Sequence, residues 1–261
     1  MMEKLHQLLR QLLGMPVLAS ENGKGVDDLI IYIHMLMIVL FVGWLAYFVY
    51  ALWRFNAKRQ PKADHHGVRG HASNYLELGV AGVEAVLLIF IAIPLWARAS
   101  DVTRIPDAKD ATQIQIVAQQ FAWNARYAGL DGVFGKQDMT LVSSTNAFGL
   151  DYTDPNSADD VSVINEIHVP VGKPVICYVS SKDVIHSLKI IALRVTQDAI
   201  PGMRVPCWFK PTQEGRYQIN CAQLCGNGHA AMAGGMLVVE SQAEFDQWLA
   251  SKKPGATTSF E

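Results

Sequence analysis

The chain has 261 residues, half of them hydrophobic, with 18% charged and a formal net charge of −2. A positive mean hydropathy of +0.15 and only 4 cysteines exclude a disordered, collagen-like or disulfide-scaffold protein. Its 22 Lys and Arg form no dense basic tract, so no nucleic-acid partner is expected, and the balance points to a globular domain joined to a membrane segment.

At the start, Leu5, Leu8, Leu9, Leu12 and Leu13 recur at helical spacing among polar residues. Arg10 interrupts the apolar core that a cleaved signal peptide needs, so residues 1–28 read as a segment lying on the membrane surface. Leu29 to Trp53 is 25 residues without Asp, Glu, Lys or Arg. A span of roughly 20 apolar residues crosses a hydrocarbon core, so this run is long enough with tilt. Leu78 to Trp96 is a second run, broken only by Glu84. The expectation is a hairpin over residues 29–98, with helices at about 29–53 and 76–97. The loop between them carries Arg54, Lys58, Arg59, Lys62 and Arg69 against Asp64, which the positive-inside rule places in the cytoplasm. The N-terminus and the large C-terminal part then face the periplasm of a bacterial inner membrane.

After Arg98 the chain turns polar and, from Thr112, strand-like. Expected strands are Thr112–Tyr127, Val163–Val169, Pro174–Val179, His186–Leu193, Val205–Phe209, Gly215–Cys221 and Gly235–Glu240, with a helix from Gln242 to Lys252. Short strands separated by turn residues predict an all-β sandwich or barrel over residues 99–252, with 253–261 as a C-terminal tail. Residues 143–160 read as an acidic loop.

Cys221, Cys225, His229 and Met232 place four soft or borderline donors in twelve residues between two expected strands. The bland reading is a core Met and two buried cysteines beside a surface His. Zinc accepts Cys and His but gains little from a thioether, whereas thiolate, imidazole and thioether together form a copper set. A mononuclear blue-copper site takes one Cys. Two thiolates can bridge two coppers, each ion then needing one His and one weak ligand. The second His is sought elsewhere, and His186, in Asp183-Val184-Ile185-His186-Ser187, lies 35 residues before Cys221.

His186, the run Gln197-Asp198-Ala199-Ile200-Pro201-Gly202 and the Cys-x3-Cys-x3-His-x2-Met loop together resemble subunit II of the haem–copper cytochrome c oxidases. The resemblance covers almost the whole chain. It implies an α+β membrane protein: a two-helix transmembrane hairpin followed by an all-β cupredoxin domain, a Greek-key barrel. It further implies a binuclear CuA centre bridged by Cys221 and Cys225, with His186, His229, Met232 and the backbone carbonyl of Gln223 as terminal ligands. Such a subunit takes electrons from a c-type cytochrome, free or tethered, and passes them to the haems of subunit I, where oxygen is reduced and protons are translocated. A membrane-anchored copper-delivery protein is the alternative; such proteins expose Met- and His-rich sites for exchange.

Where Gln223 stands, the resembled family usually has Glu, which also reaches a magnesium ion at the border with subunit I. A neutral amide is a poorer magnesium ligand, so the carbonyl role is kept and the magnesium role is weakened. Gln120-Phe121-Ala122-Trp123 resembles the aromatic stretch at which electrons enter, Phe121 standing at the entry position. Phe121 and Trp123 read equally as strand packing. Glu77 resembles a carboxylate at the mouth of a proton path, and also fits an ordinary interfacial acid. Glu84 is expected to face subunit I. His34 reads as a hydrogen-bonded helix contact, and His65, His66 and His71 as solvated. Cys177 and Cys207 read as small core residues that a disulfide could join. Residues 105–261 hold 12 Lys and Arg against 16 Asp and Glu, a net −4, and Asp151, Asp154, Asp159 and Asp160 are expected to steer a basic cytochrome.

Overall fold

The computed structural model describes residues 2–62, 65–66 and 70–252. Asp64 and Arg69 of the expected cytoplasmic loop and the expected tail at 253–261 lie outside the described residues. The chain divides into two compact units, residues 2–15 with 25–101, and residues 16–24 with 102–252.

The first unit is helical. Helix α1 spans Met2–Leu12, α2 Lys24–Arg54 and α3 Ala72–Leu87; a π-helical turn at Leu88–Ala92 leads into α4, Ile93–Ser100. Two helices are long and apolar enough to cross a membrane, Lys24–Arg54 with 31 residues and Ala72–Arg98 with 27. At 1.5 Å per residue the first measures about 46 Å, beyond the roughly 30 Å of hydrocarbon. The second is not a uniform α-helix. Pro94 lacks an N–H and its ring crowds the preceding turn, and the wider π turn just before it absorbs the misfit. His34 bonds back to the Ile30 carbonyl at 2.7 Å, as a helix contact. His65, His66 and His71 are exposed. Arg10 of α1 pairs at 3.3 Å with the buried carboxylate of Asp27 on α2.

The expected single segment at 1–28 is thus divided. Residues 16–24 belong to the second unit, where Ala19 N–H donates to Ala192, Thr212 N–H donates to Ala19, and Ser20 Oγ donates to the Leu193 carbonyl at 2.6 Å. Arg194, in the left-handed region at φ 57°, turns its guanidinium onto the carbonyls of Pro16 and Val17. No local pattern announces this, because every partner lies more than 170 residues away.

The second unit is a two-sheet β domain. Its strands are β1 Thr112–Gln119, β2 Ala122–Tyr127, β3 Val161–Ile164, β4 Glu166–Pro170, β5 Val175–Ser181, β6 His186–Ile190, β7 Val195–Ala199, β8 Val205–Phe209, β9 Gly215–Cys221 and β10 Gly235–Glu240. One sheet runs β3-β2-β1-β5-β8 and the other β4-β10-β9-β6-β7, each with one parallel pair, β1/β5 and β4/β10. Helix α5, Gln242–Ser251, follows a Ser241/Glu244 capping box. Between the sheets lie Ile114, Ile116, Trp123, Val169, Val179, Leu188, Phe209, Ile219 and Leu237. This is the cupredoxin-type sandwich expected.

Two expected strands are each two. Residues 112–127 fold as the β1/β2 hairpin, turning at Gln120-Phe121. Residues 161–170 break at Asn165, left-handed at φ 58°, where the chain passes from one sheet to the other. Asn165 holds that corner: its side chain accepts from Trp123 N–H at 2.9 Å, its N–H donates to Trp123, and its carbonyl accepts from Met236. Strand β7 carries mixed polar residues and has no sequence signature.

Candidate metal centre

Strand β9 ends at Cys221, and the chain loops through Gln223 and Cys225 into a 3₁₀ helix, His229–Gly234, before β10 begins. His186 opens β6, which pairs with β9 in the register Leu188↔Cys221. Strand pairing therefore brings His186 to the loop.

Six donors converge. Cys225 Sγ lies 3.3 Å from His229 Nδ1 and 3.4 Å from Met232 Sδ. His186 Nδ1 lies 3.1 Å from Met232 Sδ and 3.9 Å from Cys221 Sγ, and Cys221 Sγ lies 3.0 Å from the Gln223 carbonyl oxygen. Ligand atoms of His186, Cys221 and Cys225 fall within 4.8 Å of one another. His186, Cys225 and Met232 are buried, Cys221 and His229 half-buried, and the Gln223 side chain is exposed. Only the backbone of Gln223 takes part.

The surroundings hold these atoms in place. Asp183 Oδ1 accepts from His186 Nε2 at 2.8 Å, which leaves Nδ1 facing the sulfurs. Burial alone would raise the Asp183 carboxyl; hydrogen bonds from Gln120 N–H, the His186 ring and Val184 N–H outweigh it and hold the carboxyl below its ordinary value. Gln120 is a clamp: its N–H reaches Asp183 at 2.7 Å and its side-chain amide donates to the Cys225 carbonyl at 2.6 Å. Phe121 lies against Gly226 and Gly228, so close that a Cβ on Gly228 would overlap the ring. The sequence alone gives Gln120 no role, since its partners Asp183 and Cys225 are distant in the chain; Asp183, three residues before His186, is within reach of the spacing.

Trp123 is 0% exposed, and its indole N–H donates to the Met232 carbonyl at 3.0 Å. Its ring meets His186 edge-on at 6.3 Å. Of the two readings of Trp123, electron entry or strand packing, the structure fits the second: it is a core residue behind the loop. Of the acidic residues expected to steer a cytochrome, Asp160 is corrected. Asp160 is buried against Arg126. Asp151 and Asp154 cap turns at Thr153 and Asn156, and Asp159 accepts from Leu130 and Asp131 N–H groups. Glu77 accepts from Ser73 Oγ at 2.8 Å within its own helix, and Glu84 is exposed in the isolated chain.

Donor chemistry decides what fits. Two thiols, two imidazoles and a thioether face one another with few protons to share, so they want a soft cation between them. Burial, together with the charge and hydrogen bond of Cys221, pushes the Cys225 thiol up to about 11. The metal-free Cys225 thiol is therefore protonated and must release its proton on loading.

Two helices long and apolar enough to cross a membrane, a two-sheet β domain and a loop of soft donors define a class, β-domain proteins with a candidate metal site and candidate membrane spans. Within it, residues 113–241 match the family described as cytochrome C oxidase subunit II, periplasmic domain. The chain is 30% identical over 241 residues to the alternative cytochrome c oxidase subunit 2 of Bradyrhizobium diazoefficiens, covering 92% of this chain and 84% of that protein. It is 31% identical over 222 residues to the probable cytochrome c oxidase subunit 2 of Rickettsia conorii, covering 84% of this chain and 64% of that one. The crystal structure of the periplasmic domain of subunit II of cytochrome oxidase (CoxB) of Bradyrhizobium japonicum aligns with a TM-score of 0.41 at 24% identity, over 57% of this chain and 96% of that domain. The chain belongs to the cytochrome c oxidase subunit II family.

Proposed function

We propose that this chain is the electron-entry subunit of a respiratory haem–copper oxidase, with a binuclear CuA centre held by Cys221, Cys225, His186, His229, Met232 and the Gln223 carbonyl. The observation that carries this reading is the convergence of two thiols, two imidazoles and a thioether from two separate chain segments. Copper held by these residues would supply one-electron exchange.

The chain's own residues prepare that exchange. Asp183 fixes the tautomer and direction of His186. Gln120 ties the loop to the β1/β2 turn, and the Trp123 N–H anchors the Met232 backbone from behind. A clamped loop has little to reorganise when charge arrives. Phe121, half-buried over Gly226 and Gly228, is the aromatic through which electrons enter. Leu224, 79% exposed between Gln223 and Cys225, and Ile185, 46% exposed beside His186, give the c-type cytochrome an apolar surface to meet. Electrons then pass to the haems of subunit I, the partner in which oxygen is reduced to water and protons are translocated. The positive loop at 54–75 puts the β domain and N-terminus in the periplasm of a bacterial inner membrane. Glu77 opens onto the cytoplasmic side as the start of a proton path. Gln223, with a neutral side chain, contributes no charge to a magnesium site at the border with subunit I.

The test is copper analysis and EPR of the purified full chain. Two coppers per chain and hyperfine coupling to two equivalent nuclei are expected. One copper, with coupling to a single nucleus, would replace this reading with a mononuclear blue-copper protein.

A further inference from the structure

Away from the metal loop, the other two cysteines form a pair of their own. Cys177 on β5 stands directly opposite Cys207 on β8 in the antiparallel register Val175↔Phe209 to Val179↔Val205. Directly opposed residues on antiparallel strands have Cα atoms about 4.5 or 5.5 Å apart, and a disulfide needs roughly 4.4–6.8 Å. Both side chains take the same face of the sheet and pack on the core. The neighbouring Cys207 thiol, with complete burial, pushes the Cys177 thiol well up. Both are free thiols in this structure. They differ in access: Cys177 is buried, whereas Cys207 is half-buried on β8, an edge strand of its sheet.

From this we infer that Cys177 and Cys207 are a redox site, closed to a cross-strand disulfide by thiol–disulfide exchange with a low-molecular-weight disulfide. The accessible Cys207 reacts first. Its thiolate attacks one sulfur of RS–SR; the S–S bond breaks, RS⁻ leaves, and a mixed disulfide forms on Cys207. The Cys177 thiolate then attacks the Cys207 sulfur and expels the second RS⁻. One protein S–S bond is made and one small-molecule S–S bond is lost. The two thiol protons end on two RSH, and the two electrons given up by the protein thiols reduce the oxidant.

The consequence is local. The bond fixes edge strand β8 to β5 and closes a loop that contains β6 and β7, and with them His186. It does so without using either thiol of the metal loop. The chain then has two cysteine pairs with opposite requirements: one must stay reduced to bind metal, and the other gains from oxidation.

The copper-loaded full chain, purified in detergent, is equilibrated with a mixture of oxidised and reduced glutathione. It is then denatured in acid with excess alkylating reagent, digested without reductant and read by mass spectrometry. The peptides bearing Cys177 and Cys207 are expected as one cross-linked species that dithiothreitol separates, with Cys221 and Cys225 both alkylated. A Cys221→Ser/Cys225→Ser double variant, carrying no other thiols, is expected to show the same cross-link. Full alkylation of Cys177 and Cys207, or their linkage to any other cysteine, would overturn the inference. Because only the two strand cysteines are scored, the result does not depend on whether the loop binds one copper or two.

Discussion

The β domain buries two polar clusters and treats them in opposite ways. Arg126 on β2 is fully buried, yet it is answered: its guanidinium donates to Asp160, to the Gly135 carbonyl at 2.8 Å and to Gln115 at 3.3 Å, and Phe134 lies under it at 5.1 Å. Burial lowers the Arg126 pKa and raises that of Asp160, and the bond between them opposes both shifts. The metal loop buries Cys225, Met232 and His186, whose donor atoms, apart from the His186–Asp183 bond, face one another. One cluster meets its charge internally and supports the fold, although Arg126 Nε and Asp160 Oδ1 are left without hydrogen-bond partners. The other points lone pairs at lone pairs and is complete only with something added. Soft donors turned toward one another mark function more clearly than buried polarity does.

The largest effect that separates the clusters should come from Asp160→Ala. It strands a buried guanidinium, which costs on the order of 3–5 kcal/mol, and the denaturant midpoint should fall accordingly. A change under about 1 kcal/mol would mean that the pair closes nothing.

Asp183→Ala should act the other way round, on metal and not on fold. Losing the partner that orients a ligating imidazole costs roughly 10–100-fold in metal affinity. Competition titration with a copper chelator should show that loss, while the melting temperature of the copper-free chain stays close to the parent's. Equal affinity in the two proteins would remove Asp183 from the site.

Gln223→Ala should do least. Only the backbone of Gln223 faces Cys221, and the side chain is exposed, so the visible absorption and EPR of the copper-loaded chain should be nearly unchanged. Lost copper in this variant would show the amide at work on the centre.

How much of this could be read beforehand follows from how far apart the partners lie. The helices were legible because solvent dictates their composition residue by residue. The metal loop was legible because its donors crowd into twelve residues, and His186 because its setting resembles a known family. Asp160 is misread, and Trp123 stays open between two readings, for one reason. Both look like surface chemistry in a local window, and only strand register across β1, β2 and β3 turns them inward. The division of Thr112–Tyr127 and of Val163–Val169 into strand pairs was hidden likewise, since neither Gln120-Phe121 nor Asn165 carries a glycine or proline to announce a turn.

The strip at residues 16–24 bears on how the chain is made. It leaves the ribosome before both apolar helices, but the groups that receive it come much later: Ala192 and Leu193 after β6, and Thr212 after β8. The Ser20 bond alone spans 173 positions. During that interval Ser20 and Ala19 have no place to dock, and both apolar helices are already complete. Closing so long a loop adds only slowly to the entropic cost but delays assembly, as high contact order does. Maturation of the β domain is therefore a late event, completed by a segment made more than 170 residues before its partners.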